Sequence, residues 1–351
     1  MEILSYFYGF DFSKIDFVER QKTITNNKTI LYGATKSGKS YMLYDYLSRF
    51  KSKDYIYIDF NNLKLKNYDF FDLIDEFIEQ NNISTIALDN FIPTLKLPNC
   101  QNILISTNRY LAIETFETIE LNPLVFKEFL LFDRHQHITV SFDFFFRYGN
   151  FASTIYENEF NKNNHLQAIL SQSSKDDTQL QMLLSIYKNG SQVKSQRQIY
   201  NEIKKSSKIS KDRFYLFFGE LLKNRQIYQL SKHNFPYSAK KLYLYNHSFI
   251  SSINIKNRFN HTFENMIFLE LNQKFDDIFY SNKIEFYIPK ENLIVLCRPF
   301  FSASNIFTEV LSFIQEQKIK KVIIVTINQQ EQIYLDNILC QIIPFYKWAV
   351  S

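Results

Sequence analysis

Cysteine is scarce in this 351-residue chain: Cys100, Cys297 and Cys340 are the only three, and they show no clustered spacing. That excludes a disulfide framework and a paired-cysteine zinc site, and leaves free thiols as the expectation. Long apolar runs are missing as well. The stretch from Lys321 to Ile327 is far too short to cross a bilayer, and the opening Met1-Glu2-Ile3-Leu4 has neither the basic nor the apolar region of a secretory leader. A cytoplasmic protein is therefore expected. Charge of one sign is not in large excess: the net charge of +5 permits contact with nucleic acid without implying it. The six histidines are scattered, and the closest pair, His135 and His137, lacks the cysteines or second pair that a metal site needs. Internal repeats and long low-complexity linkers are absent too. The 36 Phe and 23 Tyr accompany abundant Lys, Asn and Ile, which reads as broad compositional bias more than as an aromatic binding surface.

What the chain does contain is Gly33-Ala34-Thr35-Lys36-Ser37-Gly38-Lys39-Ser40, a match to G-x-x-x-x-G-K-[ST], the phosphate-binding loop. The alternative is a glycine-rich turn, and the flanks argue against it. Thr29 to Tyr32 reads as a short buried strand and Tyr41 to Phe50 as a helix with Leu43 and Leu47 on one face, so the loop joins strand to helix. Gly33 and Gly38 would let successive backbone N–H groups converge on phosphate oxygens, helped by the positive end of the helix. Lys39 would reach the β- and γ-phosphates, and Ser40 would ligate Mg²⁺.

Strand and helix then alternate: strand Tyr55 to Ile58, helix Phe70 to Ile78, and strands Thr85 to Leu88, Ile103 to Ile105 and Thr118 to Leu121. Such a pattern is α/β, with a parallel sheet covered on both faces and a ligand at the carboxyl ends of its strands. Asp89 ends the third of these strands and has the character of a Walker B carboxylate, a second Mg²⁺ ligand beside Ser40. A solvated strand-end aspartate is the plainer reading. Where many ATPases carry a second carboxylate after that position, this chain has Asn90, which can orient water but cannot take its proton, so slow turnover is expected. The cluster Ser106-Thr107-Asn108 is placed to sense a γ-phosphate through Asn108, or else forms a turn or helix cap.

Taken together, these residues resemble a bacterial and archaeal family of AAA-type ATP-binding proteins with a C-terminal domain of unknown function. The segment from Ile119 to Phe129 resembles that family's L-x-P-L-x-F-x-E-F signature, and Tyr148-Gly149-Asn150-Phe151 its later glycine turn. The family's Gly-Arg step is absent; Glu114-Thr115-Phe116 stands there, and Arg109, Arg134 and Arg147 are the remaining candidates for a transition-state arginine. ATP as the nucleotide is implied by the resemblance; no guanine-reading Asn-Lys-x-Asp motif is present.

Beyond Thr178 helices cluster, Leu180 to Tyr187, Arg197 to Lys204 and Arg213 to Leu222, followed by strand-like Ile227 to Leu230 and Lys241 to Tyr245, which reads as a winged helix. Lys194, Arg197, Lys204, Lys205, Lys208, Lys211 and Arg213 gather there, as a phosphate-contacting surface for DNA or as a solvated face of a protein-binding domain. The helix from Phe263 to Leu271 resembles the one that opens the family's restriction-endonuclease-like terminal domain, with strands Ile284 to Ile288, Leu293 to Leu296 and Val322 to Val325, helix Phe307 to Gln315 and an aromatic tail ending at Trp348 in the matching order. Glu285 occupies the first acidic place of such a nuclease. Leu296-Cys297-Arg298 supplies neither the second carboxylate nor the lysine, Glu264 and Glu270 read as helix-surface or core-edge residues, and no nuclease activity is expected. The expected organisation is an AAA-type P-loop domain over 1–160, a winged helix over 165–250 and a degenerate endonuclease-like α/β domain over 255–351. The function expected is Mg-ATP binding with slow hydrolysis, coupled to a DNA or protein partner, with a catalytically inactive scaffold as the alternative.

Overall fold

A computed structural model describes residues 2–66, 71–256, 258–282, 284–302, 306–335 and 338–351. The chain divides into two compact units, residues 1–123 with 223–225, and residues 124–222 with 226–351.

The first unit is α/β, with a parallel sheet as the alternation predicts. Its elements are α1 (Glu2–Phe7), β1 (Lys28–Tyr32), α2 (Lys39–Leu47), β2 (Tyr55–Asp59), α3 (Phe71–Gln80), β3 (Thr85–Asp89), β4 (Asn102–Thr107) and β5 (Glu117–Glu120). The expected start of α3, Phe70, lies outside the described residues. The strands lie side by side in the order β2-β3-β4-β1-β5, all parallel. The central strands carry uninterrupted apolar runs, Ile30-Leu31 in β1, Ile86-Ala87-Leu88 in β3 and Ile103-Leu104-Ile105 in β4, because both faces of the sheet are covered. One face sends Ile30, Ile56, Ile58, Ile86, Leu88, Ile103 and Ile105 against Leu4 and Phe7 of α1 and Ile74, Phe77 and Ile78 of α3. The other packs Leu31, Tyr55, Tyr57, Ala87 and Leu104 under Met42, Leu43 and Leu47 of α2. At about 1.5–3 kcal/mol per fully buried large apolar side chain, these layers fix α2 and the loop before it on the sheet.

The second unit begins with four helices, α4 (Phe126–Phe132), α5 (Ile138–Tyr148), α6 (Ala152–Ile155) and α7 (Glu159–Gln172). Gly149 ends α5 at φ 83°, where a Cβ would lie 2.1 Å from Asn246 Oδ1, so the expected glycine turn has both a conformational and a steric reason. Three helices and a hairpin follow, α8 (Asp177–Tyr187), α9 (Gln196–Lys204), α10 (Lys211–Lys223), β6 (Ile227–Lys232) and β7 (Lys241–Leu244). The remainder is α11 (Ser248–Ile253), α12 (Phe259–Lys274), β8 (Phe279–Ser281), β9 (Ile284–Ile288), β10 (Leu293–Cys297), α13 (Ile306–Gln317), β11 (Lys321–Thr326), β12 (Glu331–Leu335), β13 (Ile338–Pro344) and α14 (Phe345–Trp348). The aromatic tail is thus a helical turn after the closing strand. One mixed sheet runs through the unit in the order β12-β13-β11-β10-β9-β8-β6-β7, because β6 pairs with β7 on one side and with β8 on the other.

Candidate functional site

The loop between β1 and α2 has the backbone its sequence requires. Gly33 sits at φ 147°, and a Cβ there would lie 2.2 Å from the Leu121 carbonyl oxygen, so strand β1 can close on the segment after β5 only with glycine. Gly38 at φ 97° is the N-cap of α2, and Lys36 also takes a left-handed conformation at φ 65°. Ala34 and Ser37 are buried, Lys36 is exposed, and Thr35 and Ser40 are half-buried. Ser37 Oγ is buried with no hydrogen-bond partner among the described residues, an orphaned donor inside the loop.

Lys39 opens α2 and is 6% exposed. Its ammonium donates to the carbonyl oxygens of Gly33 at 2.9 Å and Ala34 at 2.8 Å, so among the described residues the charge is held by the loop's own backbone and not by a carboxylate. Burial pushes this ammonium down to about 8, with the Asp89 charge opposing the fall.

Asp89, 1% exposed, stands at the end of β3 on the α2 side of the sheet, in step with Ala87 and with Tyr57 of the neighbouring strand. Its Oδ1 accepts from the Ser106 hydroxyl and from the Asn90 N–H at 3.1 Å, and its Oδ2 accepts from the Tyr57 hydroxyl at 2.6 Å. Burial, with the adjoining Asp89 charge, holds the Tyr57 phenol well above its ordinary range, which keeps it a donor. Asn90 adopts φ 55°, donates its backbone N–H to Ser106 Oγ at 3.0 Å, and extends its Nδ2 to Asp59 Oδ1 at 2.8 Å. Asn108 follows β4 directly, half-buried, at the same carboxyl edge.

The donor set suits a triphosphate with a hard cation. Backbone amides at a helix N-terminus and a buried ammonium could compensate phosphate charge, and Ser40 and Asp89 could serve as oxygen donors at the head of α2 and the end of β3. A Mg²⁺ ion that also binds phosphate oxygens needs only one or two protein oxygens of this kind.

Several residues around the site carry no motif. Arg20 donates to Ser37 O and to Asn122 O, both at 2.9 Å, and so braces the loop from outside. Tyr57, Ser106 and Asp59 orient Asp89 and Asn90. The signal for Asp59 is present in retrospect: Tyr55-Ile56-Tyr57-Ile58-Asp59 is an apolar run ended by a carboxylate, as is Thr85-Ile86-Ala87-Leu88-Asp89. What the sequence does not state is that these two strands are neighbours.

The three candidate arginines have other partners. Arg109 Nε donates to Asn224 Oδ1 at 3.2 Å, Arg134 lies 5.8 Å from the Tyr156 ring, and Arg147 pairs with Asp143 at 2.9 Å.

In the second unit, Glu270 is fully buried, contrary to the helix-surface or core-edge expectation, whereas Glu264 is partly exposed at the edge of the core, as expected. The Glu264 carboxylate takes Lys241 Nζ and the Tyr243 hydroxyl, each at 2.6 Å, and Glu270 Oε1 accepts the Phe126 N–H at 2.7 Å, capping α4. Glu285 accepts from Arg298 at 2.8 Å and from the Cys297 N–H at 3.2 Å. All three cysteines are free thiols, and no group of three or more His, Cys, Asp or Glu side chains is gathered for a metal among the described residues. Nor is any described helix long and apolar enough to cross a membrane.

No family model matches the chain. It is 24% identical over 400 aligned residues to the uncharacterized protein MJ1544 of Methanocaldococcus jannaschii, across 94% of this chain and 90% of that protein. The Orc1 protein of Aeropyrum pernix, solved in complex with DNA, is similar over 66% of this chain and 87% of that one, at 10% identity and a TM-score of 0.33, a likeness too slight to decide fold or function.

Proposed function

We propose that the first unit binds Mg-ATP and hydrolyses it slowly, as an AAA-type P-loop protein whose nucleotide state is passed to the rest of the chain. The observation that carries this reading is the Lys39 ammonium, buried at the head of α2 and held, among the described residues, by two loop carbonyls alone, opposite the strand-end carboxylate Asp89. Phosphate oxygens offer that ammonium stronger, charge-assisted partners than neutral carbonyls do. Gly33, Ala34, Thr35, Lys36, Ser37 and Gly38 form the cradle, Ser40 and Asp89 hold the magnesium ion, and Asn108 senses the terminal phosphate. When bound, the ion neutralises charge on the β- and γ-phosphates. The test is a calorimetric titration of the full chain with Mg-ATP; absence of binding at millimolar nucleotide ends the proposal.

On this reading residues 1–160 serve as the nucleotide module, 165–250 as a winged helix and 255–351 as a degenerate endonuclease-like module without nuclease activity. DNA is the second reading for the partner, favoured by the exposed Arg197, Lys204, Lys205, Lys208 and Lys211. Of the other two cations in that group, Lys194 is paired with Glu202 and Arg213 with Asp176. Affinity for duplex DNA that does not fall as salt is raised counts against it, since phosphate contacts release counterions.

A further inference from the structure

The register of β2 against β3 sets Asp59 level with Asp89 as its paired residue. Adjacent strands are about 4.8 Å apart, and paired residues of parallel strands point to the same face, so both carboxylates rise on the side of the sheet that carries α2. An independent mark of this is Tyr44 of α2, whose phenol feels the charge of both Asp89 and Asp59. Asp59 differs from Asp89 in two respects. It is only half-buried, and its Oδ1 accepts from the Asn90 amide at 2.8 Å and the Asn61 N–H at 2.9 Å, which fixes the carboxylate plane while Oδ2 has no hydrogen-bond partner among the described residues. Asp89 has both oxygens engaged in the buried layer. The carboxylate absent after Asp89 in the sequence is thus supplied from the neighbouring strand, and Asn90 holds it.

We propose that Asp59 is the general base of nucleotide hydrolysis in this chain, with Asn90 as its positioning residue. This rests on the Mg-ATP reading. A water oxygen forms a bond to the γ-phosphorus as the bond from that phosphorus to the β,γ-bridging oxygen breaks, and the electron pair of the broken bond stays on the β-phosphate of the departing diphosphate. The proton lost by the water passes to Asp59 Oδ2 and from there to the released phosphate. Asn90 cannot take that proton; its amide aims the group that can.

The experiment compares wild type, Asp59→Asn and Asn90→Gly by Mg-ATP affinity, phosphate release, chromatography of the retained nucleotide, and thermal melting. Asparagine keeps an acceptor for the Asn61 N–H, and glycine suits the φ of 55° at position 90, so both variants preserve the backbone. Expected for Asp59→Asn is a Kd within about twofold of wild type, a kcat lower by about 10²–10⁴-fold, and bound nucleotide recovered as intact triphosphate. For Asn90→Gly we expect kcat about tenfold lower with KM unchanged, a split that a merely structural residue does not produce. Turnover by Asp59→Asn at the wild-type rate overturns the assignment, as does a loss of affinity that matches the loss of rate, or a wild type that binds Mg-ATP yet never releases phosphate. A wild type that does not bind Mg-ATP at all removes the nucleotide reading and this assignment with it.

Discussion

Each unit of the molecule largely encloses a lysine near a strand end, Lys39 more completely than Lys241, and the two are held in opposite ways. Lys241 lies 2.6 Å from Glu264, with Tyr243 on the same carboxylate and Glu285 paired to Arg298 nearby, so charge answers charge. Lys39 rests on two neutral carbonyls. The consequence is visible in the acid–base behaviour: burial alone lowers a lysine, and Lys39 falls to about 8, whereas the Glu264 charge overrides burial and carries Lys241 above its ordinary range. A self-neutralised cluster has nothing to offer a ligand and reads as architecture. A charge parked on replaceable backbone oxygens, beside an orphaned Ser37 hydroxyl, is poised for exchange.

The contrast breaks most sharply at Lys39. Lys39→Ala should raise the Kd for Mg-ATP by about 10²-fold or more, since a charged hydrogen bond contributes about 1.5–3 kcal/mol and Lys39 supplies several; calorimetry with undiminished affinity would equate the two lysines after all. Removing one partner of the closed cluster should do the reverse. Glu264→Ala leaves a largely enclosed Lys241 without its ion-pair partner, with an expected loss of about 3–5 kcal/mol in denaturant unfolding of the second unit and no change in nucleotide affinity.

A smaller effect sharpens the comparison through pH. Because Lys39 is lowered, the free protein sheds this proton as pH rises through about 8, and the phosphates must restore it on binding. Mg-ATP affinity should therefore weaken above pH 8 with proton uptake, measurable by calorimetry in two buffers of different ionisation enthalpy, and Lys39→Arg should flatten the dependence. A further pH-dependent effect is at Glu270. Burial raises this carboxyl to about 8 despite the hydrogen bond from Phe126, so the folded state holds a proton that the unfolded state releases near 4.5. Stability is then highest below that value and declines as pH rises to about 8. Glu270→Gln, which keeps the acceptor, should leave stability near pH 5 almost unchanged and reduce the decline in melting temperature between pH 5 and 8.

Much of the first unit was legible because its strands are short, apolar and separated by amphipathic helices, and because one loop carries a motif whose spacing has a mechanism. Asp89 could be read as the charged end of a buried run. Its companions could not: Tyr57 looks like another core aromatic until β2 is known to lie beside β3, and Asp59 gains meaning only from the same adjacency. In the second unit, α4 to α7 were not legible from periodicity: α4 and α5 are dense in phenylalanine on both their buried and partly exposed faces, α6 is a single turn, and α7 is mostly polar. Glu270 departs from the expectation for a related reason, while Glu264 keeps to the core edge. A glutamate on a helix is usually solvated, and partners distant in sequence, Lys241 and Tyr243 for Glu264 and the Phe126 N–H for Glu270, make its enclosure tolerable.

The parallel pairing of Ser231 and Lys232 with Phe279 and Tyr280 joins the hairpin to the final α/β layer through a handful of residues. A fragment cut between β6 and β8 would therefore carry a raw ladder edge of the kind that invites aggregation.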